Sequence, residues 1–228
     1  MTIHEVLYKG LLGYWVEKTG THVAVWFIGF AVCAVAAYLL GSLNFAVIIS
    51  KRKYHDDIRN YGSHNAGMTN MLRTYGKGAA VFTLLGDASK AAVSILLGTI
   101  INGQIGAYLA GFFCILGHMF PLYYKFKGGK GVVTSAVMIL MLDWRVFLVC
   151  FLIFAGIVAS TKYMSLGSII GMLIYPLVLY NFNRATPDFR IIIATAISAL
   201  VVFMHRENIK RLMDGKESKV SFGRKKSK

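Results

Sequence analysis

Apolar residues fall in seven blocks along the chain, roughly 23–50, 78–101, 105–123, 131–142, 146–160, 165–182 and 189–204, separated by short polar or basic segments. A helix needs about 20 apolar residues, range about 17 to 25, to cross a hydrocarbon core. Five blocks reach or approach that length. Block 131–142 is too short for a straight span and 146–160 is marginal, and charges bound both (Lys130, Asp143, Arg145, Lys162). The pattern predicts two helices joined by a tight Asp143-Trp144-Arg145 turn, with a re-entrant hairpin as the alternative. Either form leaves and returns on one side, so the parity of the other blocks is unchanged.

Composition explains why the blocks are so long. Of 228 residues, 56% are hydrophobic and only 15% charged, and the mean hydropathy is +0.58. One soluble core of this size cannot hide that much apolar surface, so lipid is the expected solvent. The three cysteines (Cys33, Cys114, Cys150) lie inside apolar blocks, where they act as small hydrophobes and build no disulfide framework. The net charge of +15 would suggest nucleic acid in a soluble protein, but topology accounts for it here. Nineteen Lys and Arg fall in segments 51–77, 124–130 and 161–164 and in the tail from His205; five fall on the other side, and Lys90 sits within a block. The positive-inside bias puts the tail and the 51–77 loop in the cytoplasm and the N-terminus outside. Anionic lipid, not nucleic acid, is the expected partner of the charge. Residues Met1–Thr21 lack the layout of a signal peptide and read as an external extension able to form an interfacial helix (Val6, Leu7, Leu11, Trp15). The expected fold is therefore an all-α integral membrane protein with seven transmembrane helices, N-terminus outside and C-terminus cytoplasmic. Residues 1–22 form the extension, 23–212 the membrane domain and 213–228 a basic tail.

The chemistry-bearing residues cluster on the cytoplasmic side. The first loop runs Asp57-Ile58-Arg59-Asn60-Tyr61-Gly62-Ser63-His64-Asn65-Ala66-Gly67-Met68-Thr69-Asn70-Met71-Leu72-Arg73. Glycines permit positive φ and close backbone approach. Ser63, Asn65, Thr69 and Asn70 add short polar groups, and Arg59 and Arg73 add forked cations. This combination suits a nest for an oxyanion, ideally phosphate; a plain polar connection is the alternative. The second loop, Phe126-Lys127-Gly128-Gly129-Lys130-Gly131, feeds a helix that begins near Val132 and carries Thr134. Amides at a helix N-terminus, with the dipole behind them and Lys130 alongside, form a second anion cradle. The P-loop pattern is not matched. An ordinary positive-inside junction, the alternative, has no use for three glycines.

A third cluster, His205-Arg206-Glu207-Asn208-Ile209-Lys210-Arg211, ends the last block. The three-residue spacing of His205 and Asn208 predicts one shared face of a helical continuation. Asp87 and Lys90, also three apart, lie inside a block, where ionisable groups are costly unless paired; a mutual pair bracing the bundle is expected. Gly41-Ser42 suits a tight helix contact or an opening near the first loop, and His118 in Gly117-His118-Met119-Phe120-Pro121 suits packing or support of the second loop. Tyr163…Ser165 is the weakest of the signals. No His-x4-Asp pair, no cluster with metal-ligand spacing and no carboxylate-rich repeat occurs.

In this order, Gly41-Ser42, Gly62-Ser63-His64-Asn65…Asn70…Arg73, Asp87…Lys90, Gly117-His118…Pro121, the Gly-Gly-Lys-Gly loop and His205-Arg206-Glu207-Asn208 resemble the bacterial acyl-phosphate glycerol-3-phosphate acyltransferases, the PlsY family. The resemblance covers about Leu40 to Lys216. It implies a seven-span inner-membrane enzyme with a cytoplasmic active site, needing neither metal nor coenzyme A and no other cofactor. The substrates it implies are acyl phosphate and glycerol 3-phosphate, and the products lysophosphatidic acid and phosphate. By resemblance the catalytic positions are Ser63, Arg73, Lys130, His205 and Asn208. The loop reading adds Gly62, Asn65, Thr69, Asn70, Gly128, Gly129 and Gly131 as phosphate-binding positions. His64 and Met68 stand where the family usually has Gly and Ala. The general base stays open between His205 and the donor's own phosphate oxygen. A small anion transporter is the competing class, but it would need polar groups on broken helices near the bilayer midplane, which only Asp87 and Lys90 approach.

Overall fold

The computed structural model describes residues 2–19, 23–183 and 188–220, and within them every regular element is helical. Met1, Thr21, Arg184 and the 221–228 end of the tail lie outside the described residues. The chain divides into two compact units, Met1–Leu142 and Asp143–Lys228.

The first unit contains α1 (Ile3–Thr19), α2 (Val23–Gly41), α3 (Phe45–Tyr54), α4 (Met68–Tyr75), α5 (Lys77–Met119) and α6 (Val132–Leu142). The apolar block 23–50 is thus two helices, broken at Ser42-Leu43-Asn44. Asn44 caps α3, its side chain accepting the Val47 amide at 3.1 Å. Lys51, Arg52 and Lys53 fill the last turn of α3, where cations suit the dipole, and His55 ends it in the left-handed region.

Helix α5 is two helices joined end to end, and the chain leaves helical geometry between them at Asn102 and Gly103, the latter with φ 62°. Along a straight helix Gly98 and Ala110 would stand about 18 Å apart at 1.5 Å per residue. Instead, a Cβ placed on Gly98 would lie 2.7 Å from the Ala110 Cβ, so the helix doubles back on itself. Blocks 78–101 and 105–123 are the two arms of this hairpin. Asn102 is buried and donates to the Trp26 carbonyl at 3.2 Å. Gly10, where α1 bends with φ 73°, lies against the same turn. Of the residues expected to make α1 interfacial, Leu7, Leu11 and Trp15 are exposed.

Small residues let these helices approach closely. A side chain at Gly41 would strike the Cys114 backbone, and one at Gly117 would strike the backbone around Tyr38 and Ser42. Ala37, Ala91, Ala110 and Cys114 form a buried cluster between the same helices. In lipid, where apolar burial does not drive helix pairing, such contacts hold a bundle by dispersion and fit.

The second unit contains α7 (Trp144–Thr161), α8 (Met164–Asn183), α9 (Phe189–Met204) and α10 (Arg206–Met213). Asp143 caps α7 through the Arg145 and Val146 amides, so the turn after α6 is as short as the sequence suggests. The tail returns to α8: the Val220 amide donates to the Lys162 carbonyl at 2.9 Å. Among the described residues four helical segments are long and apolar enough to cross a membrane: Ala24–Tyr54, Lys77–Tyr124, Trp144–Thr161 and Met164–Asn183. Phe189–Met204 with Arg206–Met213, bent by 55°, makes a fifth if counted as one span.

Candidate active site

The first loop is organised by one buried side chain. Asn70, in the first turn of α4, accepts the Ser63 amide at 3.0 Å through Oδ1. Its Nδ2 faces the carbonyls of Tyr61 (2.9 Å), Asn65 (3.1 Å) and Ile58 (3.2 Å). An amide has two N–H donors, and the loop engages both. Asn70 thereby shapes the loop that presents Ser63. Gly62 needs its positive φ of 59° because a side chain there would strike Asn70. His64 also takes a left-handed φ of 56°, a conformation that favours glycine, and its ring is held at 3.0 Å from the Arg59 carbonyl. Ser63, Asn65 and Thr69 are partly exposed, and Arg73 is exposed at the end of α4. Met68 occupies the first helical position of α4.

Arg59 is engaged within the fold. Its guanidinium pairs with Asp57 at 2.9 and 2.7 Å and donates to the Tyr124 and Lys127 carbonyls at 3.0 and 3.2 Å. The hydrogen bond from Arg59 holds the Asp57 carboxyl below the usual carboxylate range, against the opposing effect of burial. Arg59 thereby fastens the first loop to the second.

In the second loop the Gly128 amide donates to the Met119 carbonyl at 3.2 Å and the Gly129 amide to the His118 carbonyl at 3.0 Å. These two amides are therefore engaged by the end of α5. Close approach is what demands glycine here: a Cβ on Gly128 would lie 2.6 Å from the Pro121 ring and one on Gly129 2.9 Å from the Ala66 carbonyl. Gly131, at φ 77°, turns the chain into α6. The first-turn amides of α6 have no carbonyl one turn back to bond, and Lys130 stands beside them, partly exposed.

Beneath both loops lies a buried polar junction. Lys90 donates to the carbonyls of Gly41 (2.8 Å) and Leu43 (2.6 Å), and its Nζ lies 2.9 Å from both Asp87 Oδ1 and His118 Nδ1. The Asp87–Lys90 pair expected from sequence thus extends to His118 and to the α2–α3 break. Asn44, which sequence reading passed over, donates from Nδ2 to the Ala66 carbonyl at 3.3 Å. A polar residue just ahead of an apolar, basic-ended helix was the signal for its capping role.

The second unit carries His205 and Asn208, both buried. The chain bends by 55° between α9 and α10, and His205 stands at that bend as the N-cap of α10, with Asn208 in the helix's first turn. The His205 Nδ1 sits 2.7 Å from the Val201 carbonyl, which makes Nδ1 the donor and turns Nε2 away from the backbone. Asn208 donates to Glu217 Oε1 at 2.7 Å; Ser165 donates to the same oxygen at 2.7 Å, and Arg211 to Oε2 at 2.7 Å. Burial alone would raise the Glu217 carboxyl, but the bonds from Ser165, Arg211 and Asn208 outweigh it and hold it below the ordinary value. Glu217, an acid in a basic tail, carries no signal in the sequence that pairs it with Ser165 or Asn208; they meet only through the tail's return to α8.

Residues 31–215 match the family model described as glycerol-3-phosphate acyltransferase. A glycerol-3-phosphate acyltransferase of Thermoanaerobacter sp. (strain X514) is 40% identical over 82% of this chain and 93% of its own length. That of Clostridioides difficile (strain 630) is 39% identical over 84% and 95%. Among solved structures, PlsY (YgiH), an integral membrane glycerol 3-phosphate acyltransferase, in its glycerol 3-phosphate form superposes with a TM-score of 0.77 at 35% identity, covering 84% of this chain and 96% of that one. Its lysophosphatidic acid form gives a TM-score of 0.73 at 33% identity. Match, identity and coverage agree: the chain belongs to the glycerol-3-phosphate acyltransferase family, the PlsY family of integral membrane enzymes.

Proposed function

We propose that the protein transfers a fatty acyl group from acyl phosphate to the 1-hydroxyl of glycerol 3-phosphate, giving lysophosphatidic acid and inorganic phosphate. The observation that carries this reading is the joining of two glycine-turned loops by Arg59, which puts the Ser63 loop and the Lys130 turn side by side in the first unit. The hydroxyl oxygen attacks the acyl carbon, the bond from that carbon to the phosphate oxygen breaks, and the hydroxyl proton passes to His205 or to a donor phosphate oxygen. An acyl phosphate is already activated, so placement and charge stabilisation supply most of the acceleration. Lys130, Gly131 and the α6 amides take the donor phosphate, with Ser63 and Arg73 completing the anion site and Asn65, Thr69 and Gly62 lining the first loop. His205 and Asn208 hold glycerol 3-phosphate. The acyl tail remains in lipid, where each buried CH2 is worth about 0.8 kcal/mol.

The reading is supported by PlsY structures in glycerol 3-phosphate and lysophosphatidic acid forms. Purified protein given acyl phosphate and labelled glycerol 3-phosphate is expected to release phosphate and lysophosphatidic acid one for one, without added metal. Acyl-CoA is expected to support little or no turnover. Robust use of acyl-CoA, or inactivation by a chelator, would contradict the proposed donor.

The same proposal sets the membrane topology. Counting α2–α3 as one span, the arms of α5 as two, α6, α7 and α8 as one each and α9–α10 as one gives seven. The N-terminus then lies outside and the loops and tail on the cytoplasmic face of the bacterial inner membrane. A cytoplasm-active reporter is expected to work after Lys228 and fail ahead of Met1; activity at both ends would remove the odd span count.

A further inference from the structure

We propose that Asp87, Lys90 and His118 are positioning residues for the acyl-transfer site, which set the height of the Gly128–Gly131 turn and with it the place of Lys130. The inference rests on the function proposed above and extends it to residues that touch no substrate. Lys90 has three N–H donors and no lone pair. Gly41 and Leu43 accept two of the donors, and the third faces His118 Nδ1 and Asp87 Oδ1. Asp87 Oδ1 also lies 3.5 Å from His118 Nδ1, so the imidazole is held through Nδ1 and presents its other nitrogen, Nε2, to the turn. That nitrogen lies directly under Gly129, so that a side chain at position 129 would collide with it. The His118 carbonyl holds the Gly129 amide from the same side.

Across the turn, the Ala66 carbonyl faces Gly129 and is itself held by Asn44. Four segments therefore meet at one point: the α2–α3 break, the first loop, the second arm of α5 and the Gly128–Gly131 turn. Helix bracing alone does not explain this arrangement. The Gly41–Cys114, Gly117–Tyr38 and Gly98–Ala110 contacts brace α2 and the two arms of α5 through small residues, whereas ionisable groups at membrane depth are costly to retain. What the polar junction adds is a fixed seat for Gly129, the residue that precedes Lys130.

The test is a double-mutant cycle. His118→Asn keeps an acceptor towards Lys90 but ends short of Gly129. Gly129→Ala drives a methyl into the ring. Alone, Gly129→Ala is expected to lower kcat/KM about a hundredfold and His118→Asn about tenfold, as for displacements of roughly an ångström. In the double variant, removal of the ring relieves the nearest clash and leaves only the milder one with the Ala66 carbonyl at 2.9 Å, so activity recovers severalfold over Gly129→Ala. Losses that simply multiply would overturn the inference. The rise in thermal midpoint caused by inorganic phosphate gives a second readout that does not depend on turnover, and it should follow the same pattern of loss and recovery. If the wild type makes no lysophosphatidic acid from acyl phosphate, the proposed function falls, and the phosphate-induced shift still decides the positioning role. If Gly129→Ala does not fold, His118→Asn decides alone. A roughly tenfold rise in the phosphate concentration needed for the half-maximal shift supports the role, and an unchanged concentration overturns it.

Discussion

Replacement of Lys130 by Met is expected to lower turnover about a hundredfold or more while the protein still folds, in line with removal of one preorganised oxyanion donor. Methionine keeps the unbranched stem and removes only the charge. The position explains the size of the effect. Gly131 turns the chain into α6, so Lys130 stands beside amides whose dipoles point the same way. Negative charge grows on the phosphate as the acyl–oxygen bond breaks, so the cation is worth more in the transition state than in the ground state. The loss should therefore appear in kcat, with the glycerol 3-phosphate KM nearly unchanged. A Lys130→Met enzyme with normal kcat and only a raised KM would remove the lysine from charge stabilisation.

Asn70→Ala is the second large effect. The substitution strips partners from the Ser63 amide and from up to three carbonyls of the same loop. A buried group left unsatisfied costs about 1–3 kcal/mol. Water can reach part of this loop and repair some of the loss, so the expected destabilisation is about 3 kcal/mol in total. With Ser63 no longer held, activity should fall about a hundredfold. Asn70→Asp, which keeps an acceptor but loses both donors, should rescue little. Thermal unfolding in detergent together with kcat measures both effects, and an Asn70→Ala protein retaining half its activity would contradict the assigned role.

Periodicity and composition made the helices legible, because a lipid-facing helix must be apolar over most of its length. They also placed the Asp143 turn and both glycine loops. What they could not show is which polar groups are already engaged within the fold. Asn70, Gly128 and Gly129 carry the right chemistry for phosphate, but their donors bond loop and α5 carbonyls. Arg59 has a suitable fork for an anion, and Asp57 with two carbonyls occupies it. His205 and Asn208 have helical spacing, but the chain bends at His205, where α9 gives way to α10, and Glu217 reaches Asn208 only because the tail folds back. Asp87 and Lys90, the pair that would have suited a transport path, bind each other, His118 and two backbone carbonyls. Such three-dimensional pairings leave little trace in residue type or spacing.

The claim on which the account turns is that the Lys130 turn holds the donor phosphate and not that of glycerol 3-phosphate. Inhibition by inorganic phosphate, one of the products, tests it directly when measured against each substrate in wild type and in Lys130→Met. The account predicts competition with acyl phosphate, no competition with glycerol 3-phosphate, and an inhibition constant that rises about tenfold or more in the variant, the size expected for a lost charge-assisted contact of roughly 1.5–3 kcal/mol. Competition with glycerol 3-phosphate, at an inhibition constant that Lys130→Met leaves unchanged, would contradict it.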